Sequence, residues 1–264
     1  MQDDTTELRS GAVRKKAIPD HPNVYRFLSG HSFDGGPPRG TTPPLVFMHI
    51  PKTGGTFLTD VILHNLQLRD QPALFYAPHR MNAADTARIF GPDRKLALLL
   101  RDPAARFVSA WHSRQRQGKP GYHAPWTRHE AAVFARYPEL DRLLDDLGSL
   151  WPLARRYARR AIAGMTMVPR GYAHAFGSEA GAIDALPAIR LCLPIEALSD
   201  HLDQTMEALG FDQYMLPPEP AENRSTDRPP VLPDRLDTRL KSHLSGDYAI
   251  FRVLRSHAKR LHGW

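Results

Sequence analysis

The stretch Leu45-Val-Phe-Met-His-Ile50, followed by Pro51-Lys52-Thr53-Gly54-Gly55-Thr56, decides how the chain folds. Its apolar run predicts a buried strand, and Phe57, Val61, Ile62 and Leu66 continue it at helical spacing from Thr56. A glycine-containing turn lies between the two. The amides of such a turn and of the helix N-terminus form a cradle for an anion, and glycine lets the backbone approach a phosphate closely. The segment therefore predicts a phosphate loop. It is not the NTPase loop Gly-x-x-x-x-Gly-Lys-Ser/Thr, because Lys52 precedes the glycines.

Working outward, a second strand is expected at 73–77, ending at Pro78-His79-Arg80, and a third at Lys95–Arg101. The continuous apolar run of the third is typical of a parallel strand covered on both faces. Asp102-Pro103 supplies an N-cap and first-turn proline for a helix from Ala104 to about Gln117. Two or more helices are expected between Arg128 and Ala163, including Leu143-Leu144-Leu147. The basic run Arg155-Arg-Tyr-Ala-Arg-Arg160 reads by default as a solvated helix face. A fourth strand at 189–195 feeds a helix at 196–209, residues 217–233 form a Pro-rich loop, and helices at 233–245 and 247–262 close the chain. Strand, turn and helix alternate, so the fold class is α/β, with a central parallel sheet flanked by helices and a helical C-terminal part.

With 264 residues, of which 42% are hydrophobic, the chain holds one sizeable domain. Residues 1–43, with Arg14-Lys-Lys and a Gly/Pro-rich stretch from Asp34, read as a partly disordered arm, which leaves 44–264 for the folded domain. The single cysteine, Cys192, lies in an apolar run and reads as a buried strand thiol. It excludes a disulfide or a cysteine-based zinc site within one chain. The polar start Met1-Gln-Asp-Asp-Thr-Thr-Glu and the lack of an apolar run of about 18 residues argue against a membrane span and for a cytoplasmic protein. A net charge of +7, carried by 28 Arg and 7 Lys, fits nucleic acid, an acidic membrane surface or small anionic ligands. No helix-turn-helix, zinc or RNP signature is present, so nucleic acid is not an expected partner.

The eight residues His49-Ile-Pro-Lys-Thr-Gly-Gly-Thr56 resemble the 5′-phosphosulfate loop of sulfotransferases that use 3′-phosphoadenosine-5′-phosphosulfate (PAPS). The resemblance is strongest to the branch with heparan and dermatan 2-O-sulfotransferases and many bacterial proteins. A second segment, Leu99-Leu-Arg101-Asp-Pro-Ala-Ala-Arg106-Phe-Val-Ser109-Ala-Trp, is similar to that family's 3′-phosphate motif. Weaker similarity continues at Leu191–Glu196, Asn223-Arg224-Ser225 and Asp247–Phe251, while Pro169-Arg-Gly-Tyr172-Ala-His174 departs from the pattern.

The resemblance implies a P-loop-like fold and transfer of a sulfuryl group from PAPS to an acceptor hydroxyl or amine, with PAP as product. It points to a carbohydrate acceptor first, with a small molecule, a lipid or a peptide as alternatives. An anionic saccharide would suit the basic surface. Lys52, Thr53, Gly54, Gly55 and Thr56 would hold the phosphosulfate, and Arg101 and Ser109 the 3′-phosphate. Arg106 serves the nucleotide or an exposed salt bridge. Lys52 would also neutralise the leaving oxygen in an in-line displacement. The low charge of a sulfuryl group makes a metal ion unnecessary.

A histidine with a pKa near the reference value of about 6.5 suits the role of base toward the acceptor. His79, at a strand end, is the candidate, as the resemblance also implies. His49 reads as a core histidine inside the first strand, while His112 and His123 could contact acceptor. A P-loop kinase or NTPase and an inactive PAP-binding protein are the other readings. The first would need a Mg²⁺-holding Asp at a strand end, a place Asp102 occupies, and a Walker-type Lys, for which Lys52 is misplaced.

Overall fold

The computed structural model describes residues 45–68, 74–77, 79–119, 123–217 and 232–263. The arm 1–43, Pro78 and Asn223-Arg224-Ser225 lie outside these residues. Strand β1 (Leu45–Met48) leads into α1 (Gly55–Leu68), then β2 (Leu74–Ala77), α2 (Ala83–Phe90), β3 (Lys95–Leu100) and α3 (Pro103–Gln115). Three helices follow: α4 (Arg128–Arg136), α5 (Leu140–Leu147) and α6 (Pro152–Ala163). Short helices α7 (Tyr172–Phe176) and α8 (Glu179–Ala185) precede β4 (Ile189–Pro194). Helices α9 (Leu202–Ala208), α10 (Asp234–His243) and α11 (Ser245–His262) complete the order.

The four strands form one parallel sheet in the order β2-β1-β3-β4. From β1 the chain moves to one side to make β2, then crosses to the other side for β3. The order therefore reverses between β1 and β3, and open α/β sheets bind ligands outside the carboxyl ends of the strands at such a point. The turn at Lys52 leaves β1 there, and Arg101 leaves β3.

Alternation along the strands fills both faces. Val46, Met48, Leu96, Leu98 and Leu100 pack against Tyr172, Phe176 and Ile250, Leu254 and Ala258 of α11. Phe47, Ala97, Leu99 and Leu191 pack against Leu58, Val61 and Ile62 of α1, with Met206 and Leu209. A third cluster joins Phe107 and Trp111 to Phe134, Leu143, Leu144, Ile162 and Leu240, so the helical part has its own core on α3. Cys192 is fully buried, as its sequence context implies, and burial raises its thiol pKa.

Two element expectations change. Strand β1 stops at Met48, so His49 and Ile50 belong to the loop. The helix expected at 196–209 is a 3-10 turn at Ile195–Ala197 followed by α9 at Leu202–Ala208. Among the described residues no helix is long and apolar enough to cross a membrane.

Glu130 pins the helical part. Its carboxylate pairs with Arg114 at 2.8 Å with both side chains buried, and it also accepts from Thr127 N, Thr166 N and Thr166 Oγ1. Burial would raise its pKa, but the hydrogen bonds from Arg114, Thr127 and Thr166 override it and hold the carboxyl at about 2. Because the folded pKa is depressed, this stabilisation is present above the ordinary carboxylate range and is lost as pH falls toward 2. Glu130→Ala strands the Arg114 cation, at an expected cost of about 3–5 kcal/mol in urea unfolding. A loss below about 1 kcal/mol, the level of an exposed pair, would contradict the anchoring role.

Candidate functional site

The turn after β1 is built on two residues of positive φ, Lys52 at 67° and Gly54 at 90°. Glycine takes that conformation freely, whereas for Lys it is strained, and such strain gathers at functional sites. At Gly55 the reason is space, because a Cβ there would overlap the His49 ring. Thr53 is buried and its hydroxyl donates to the Ile50 carbonyl at 2.9 Å, so its side chain closes the turn. Helix α1 starts at Gly55 with no acidic residue in its first turn, which leaves the N-terminal partial charge uncompensated. Thr56 is exposed at this end.

Arg101 crosses from β3 to this turn, and its Nη1 donates to the Lys52 carbonyl at 3.1 Å. Tyr172 fixes its backbone: the phenol donates to the Arg101 carbonyl at 2.7 Å and accepts from Arg101 N at 2.8 Å. Asp247 in turn accepts from Tyr172 N at 2.6 Å, and Phe251 lies against the Tyr172 ring. The departing segment 169–174 and the weakly matching helix 247–251 thus form one brace behind Arg101.

His79 sits two residues past β2. His49, continuing β1 through a bond from its backbone N to Ala77 O, packs edge-on to it with ring centroids 4.4 Å apart. His49 Nδ1 is bound to the Tyr76 hydroxyl at 2.5 Å. Burial raises the Tyr76 pKa, so the phenol keeps its proton. His79 Nε2 is buried and has no hydrogen-bond partner among the described residues. His49, His79, Met81, Arg170, Gly171 and His174 line a small cleft beside the turn.

The charges at this end of the sheet disfavour one another. Burial, then Arg101 and Arg116, lower the Lys52 ammonium to about 8. Burial, Arg170 and Lys52 hold His79 at about 4, while burial, His79 and Lys52 hold His49 at about 3. Arg170 is lowered by burial and by Arg80. Glu196 and Asp102 favour the charged form of Arg101, whereas Lys52 makes no ion pair among the described residues. A cluster of under-compensated cations around a helix N-terminus can hold an anion. This donor set suits a phosphosulfate.

The structure brings Lys52, Arg101 and His79 together and adds Arg170 and His174, which the sequence had flagged only as a departure. Ser109 lies half-buried on α3, eight residues beyond Arg101, with no hydrogen bond to that group among the described residues. Arg106 corrects the expectation of an exposed salt bridge or nucleotide contact. It is 1% exposed, donates to the Val168 carbonyl at 2.8 Å and ties α3 to the brace. His112 faces a separate cleft with Pro138 and Asp141, and His123 is exposed beside Gln117. Asp102 caps α3 through Ala105 N and accepts from the Tyr248 hydroxyl at 2.9 Å, so both its oxygens are engaged.

Comparison of the chain with protein families, with curated proteins and with solved structures finds no match.

Proposed function

We propose that residues 44–264 form a PAPS-dependent sulfotransferase domain, with a P-loop-like site that transfers a sulfuryl group to an acceptor hydroxyl by in-line displacement. The observation that carries this reading is the convergence of Lys52, Arg101 and the unpartnered His79 nitrogen at the point where the strand order reverses. PAPS, when bound, supplies an activated sulfuryl group on a 5′-phosphate. The amides of Gly54, Gly55 and Thr56, with the Thr56 hydroxyl, would hold that end. Arg101 and Ser109 would hold the 3′-phosphate. Lys52 places its charge where negative charge grows on the leaving oxygen. His79 Nε2 accepts the proton of the acceptor. Arg170 at the cleft, with the charge of Arg80 acting on it, favours an acceptor that carries negative charge, and a saccharide with such a group fits. No metal ion is needed for these roles.

Calorimetry tests the nucleotide half. PAP is expected to bind much more tightly than AMP in EDTA, because a hydroxyl cannot replace an anion facing Arg101. Arg101→Ala is expected to erase the preference, at about 1.5–3 kcal/mol for a charge-assisted contact. Equal affinity of the wild type for both nucleotides would remove the assignment. ATP binding only with Mg²⁺ would favour a kinase.

A further inference from the structure

The basic run at 155–160 has neighbours that a solvated helix face does not require. Among the described residues eight large apolar side chains are exposed, and four of them, Leu150, Trp151, Leu153 and Tyr157, fall within one eight-residue stretch. Leu150 is 93% exposed and Trp151 73%. Trp151 also holds the N-cap of α6 with no side-chain hydrogen bond to the first turn, a place where Ser, Thr, Asp or Asn is preferred. Local helix stability does not explain a tryptophan there.

Helix α6 buries Ala158, Ala161 and Ile162 against the core. Helical periodicity turns Leu153, Arg156 and Arg160 to the opposite side, with Tyr157 and Arg159 flanking them. Arg136 adds a further cation, its guanidinium 5.0 Å from the Tyr157 ring centroid. Two of the three carboxylates of α5 are engaged, Asp145 with Arg235 and Arg239 and Asp146 with the Tyr137 hydroxyl, and the third, Asp141, lines the cleft with His112. The patch therefore presents apolar anchors and free arginines together.

We propose that this face docks on an anionic lipid membrane. Two observations select that occupant. A solvated polyanion would satisfy the arginines but leave Leu150 and Leu153 in water, whereas a lipid interface takes both classes, with Trp and Tyr at headgroup level. A second copy of the chain meeting the same patch across a two-fold axis would set arginines against arginines. Basic side chains add attraction to anionic lipid that salt screens. The proposal is independent of the nucleotide site.

Sedimentation with vesicles tests it on the full chain. The wild type is expected to pellet with equal parts phosphatidylcholine and phosphatidylserine, at least about tenfold more strongly than with phosphatidylcholine alone. Trp151 emission should shift to the blue on binding. The paired substitutions Leu150→Ser with Trp151→Ser, and Arg156→Gln with Arg160→Gln, alter exposed positions and should leave thermal unfolding near that of the wild type. Each pair is expected to lower vesicle binding about tenfold or more. No binding to the anionic vesicles overturns the proposal. So does binding that the Leu150/Trp151 pair leaves intact, which would assign the arginines to soluble polyanions such as heparin. A concentration-dependent dimer abolished by that pair would assign the patch to a second copy and overturn it equally.

Discussion

Replacing His79 with alanine is expected to slow turnover by about a hundredfold or more, the usual size of a general-base contribution, while PAP affinity stays near wild type. The expectation rests on an orphaned atom: Nε2 is buried without a partner, beside the turn that carries Lys52. The sequence suggested a base titrating near the ordinary histidine value. Burial, Arg170 and Lys52 instead lower His79 to about 4. The imidazole is then neutral throughout the physiological range, so His79 should leave kcat/KM flat near neutrality and cause a fall on the acid side as pH drops through about 4. A weaker base is the counterpart of that constant availability. Arg170→Ala removes one of the depressing charges and should move the acid limb upward. His112→Ala should do little, because His112 faces the cleft at Pro138 and Asp141. Near-full activity of His79→Ala with an unchanged pH profile would place the base elsewhere.

The four strands were legible because a buried parallel strand needs a continuous apolar run, and each is bounded by Gly, Pro or Asp. Lys52 and Arg101 were legible because they sit in sequence beside their strand ends. The brace was not, since Tyr172 reaches Arg101 across 71 positions and Asp247 reaches Tyr172 across 75. Contacts at such separation leave no local periodicity. Arg106 departs from expectation for a related reason: a charged residue on a helix is usually exposed, and the Val168 carbonyl, Asp247 and Tyr172 offset part of the cost of burying it. Helix α2 did carry a local signal, the capping box Asn82 to Asp85. The end of β1 at Met48 changes the most chemistry, because the partly buried and hydrogen-bonded His49 also lines the cleft beside the turn.

Lys52 should separate stability from function. Lys52→Ala is expected to lower turnover about a hundred- to a thousandfold, as for loss of one preorganised stabiliser of a developing anion, and to weaken PAP binding much less. Lys52→Gly should lose the same activity while raising stability, because it removes both a residue at φ 67° and a cation beside Arg101. The sign of the pH effect follows from the ammonium's pKa, lowered to about 8 by burial, Arg101 and Arg116. Above that value the folded protein binds fewer protons at Lys52 than the unfolded chain, so folding stability attributable to this residue rises with pH from about 8 toward the ordinary lysine value. Nucleotide binding runs the other way. An anion favours the charged ammonium, so binding above pH 8 should take up a proton, and affinity should fall as pH rises further. Calorimetry at alkaline pH in buffers of different ionisation enthalpy measures that proton directly. Uptake by the wild type and none by Lys52→Ala is the expected result. Equal uptake by both would show that the ammonium does not face the bound anion.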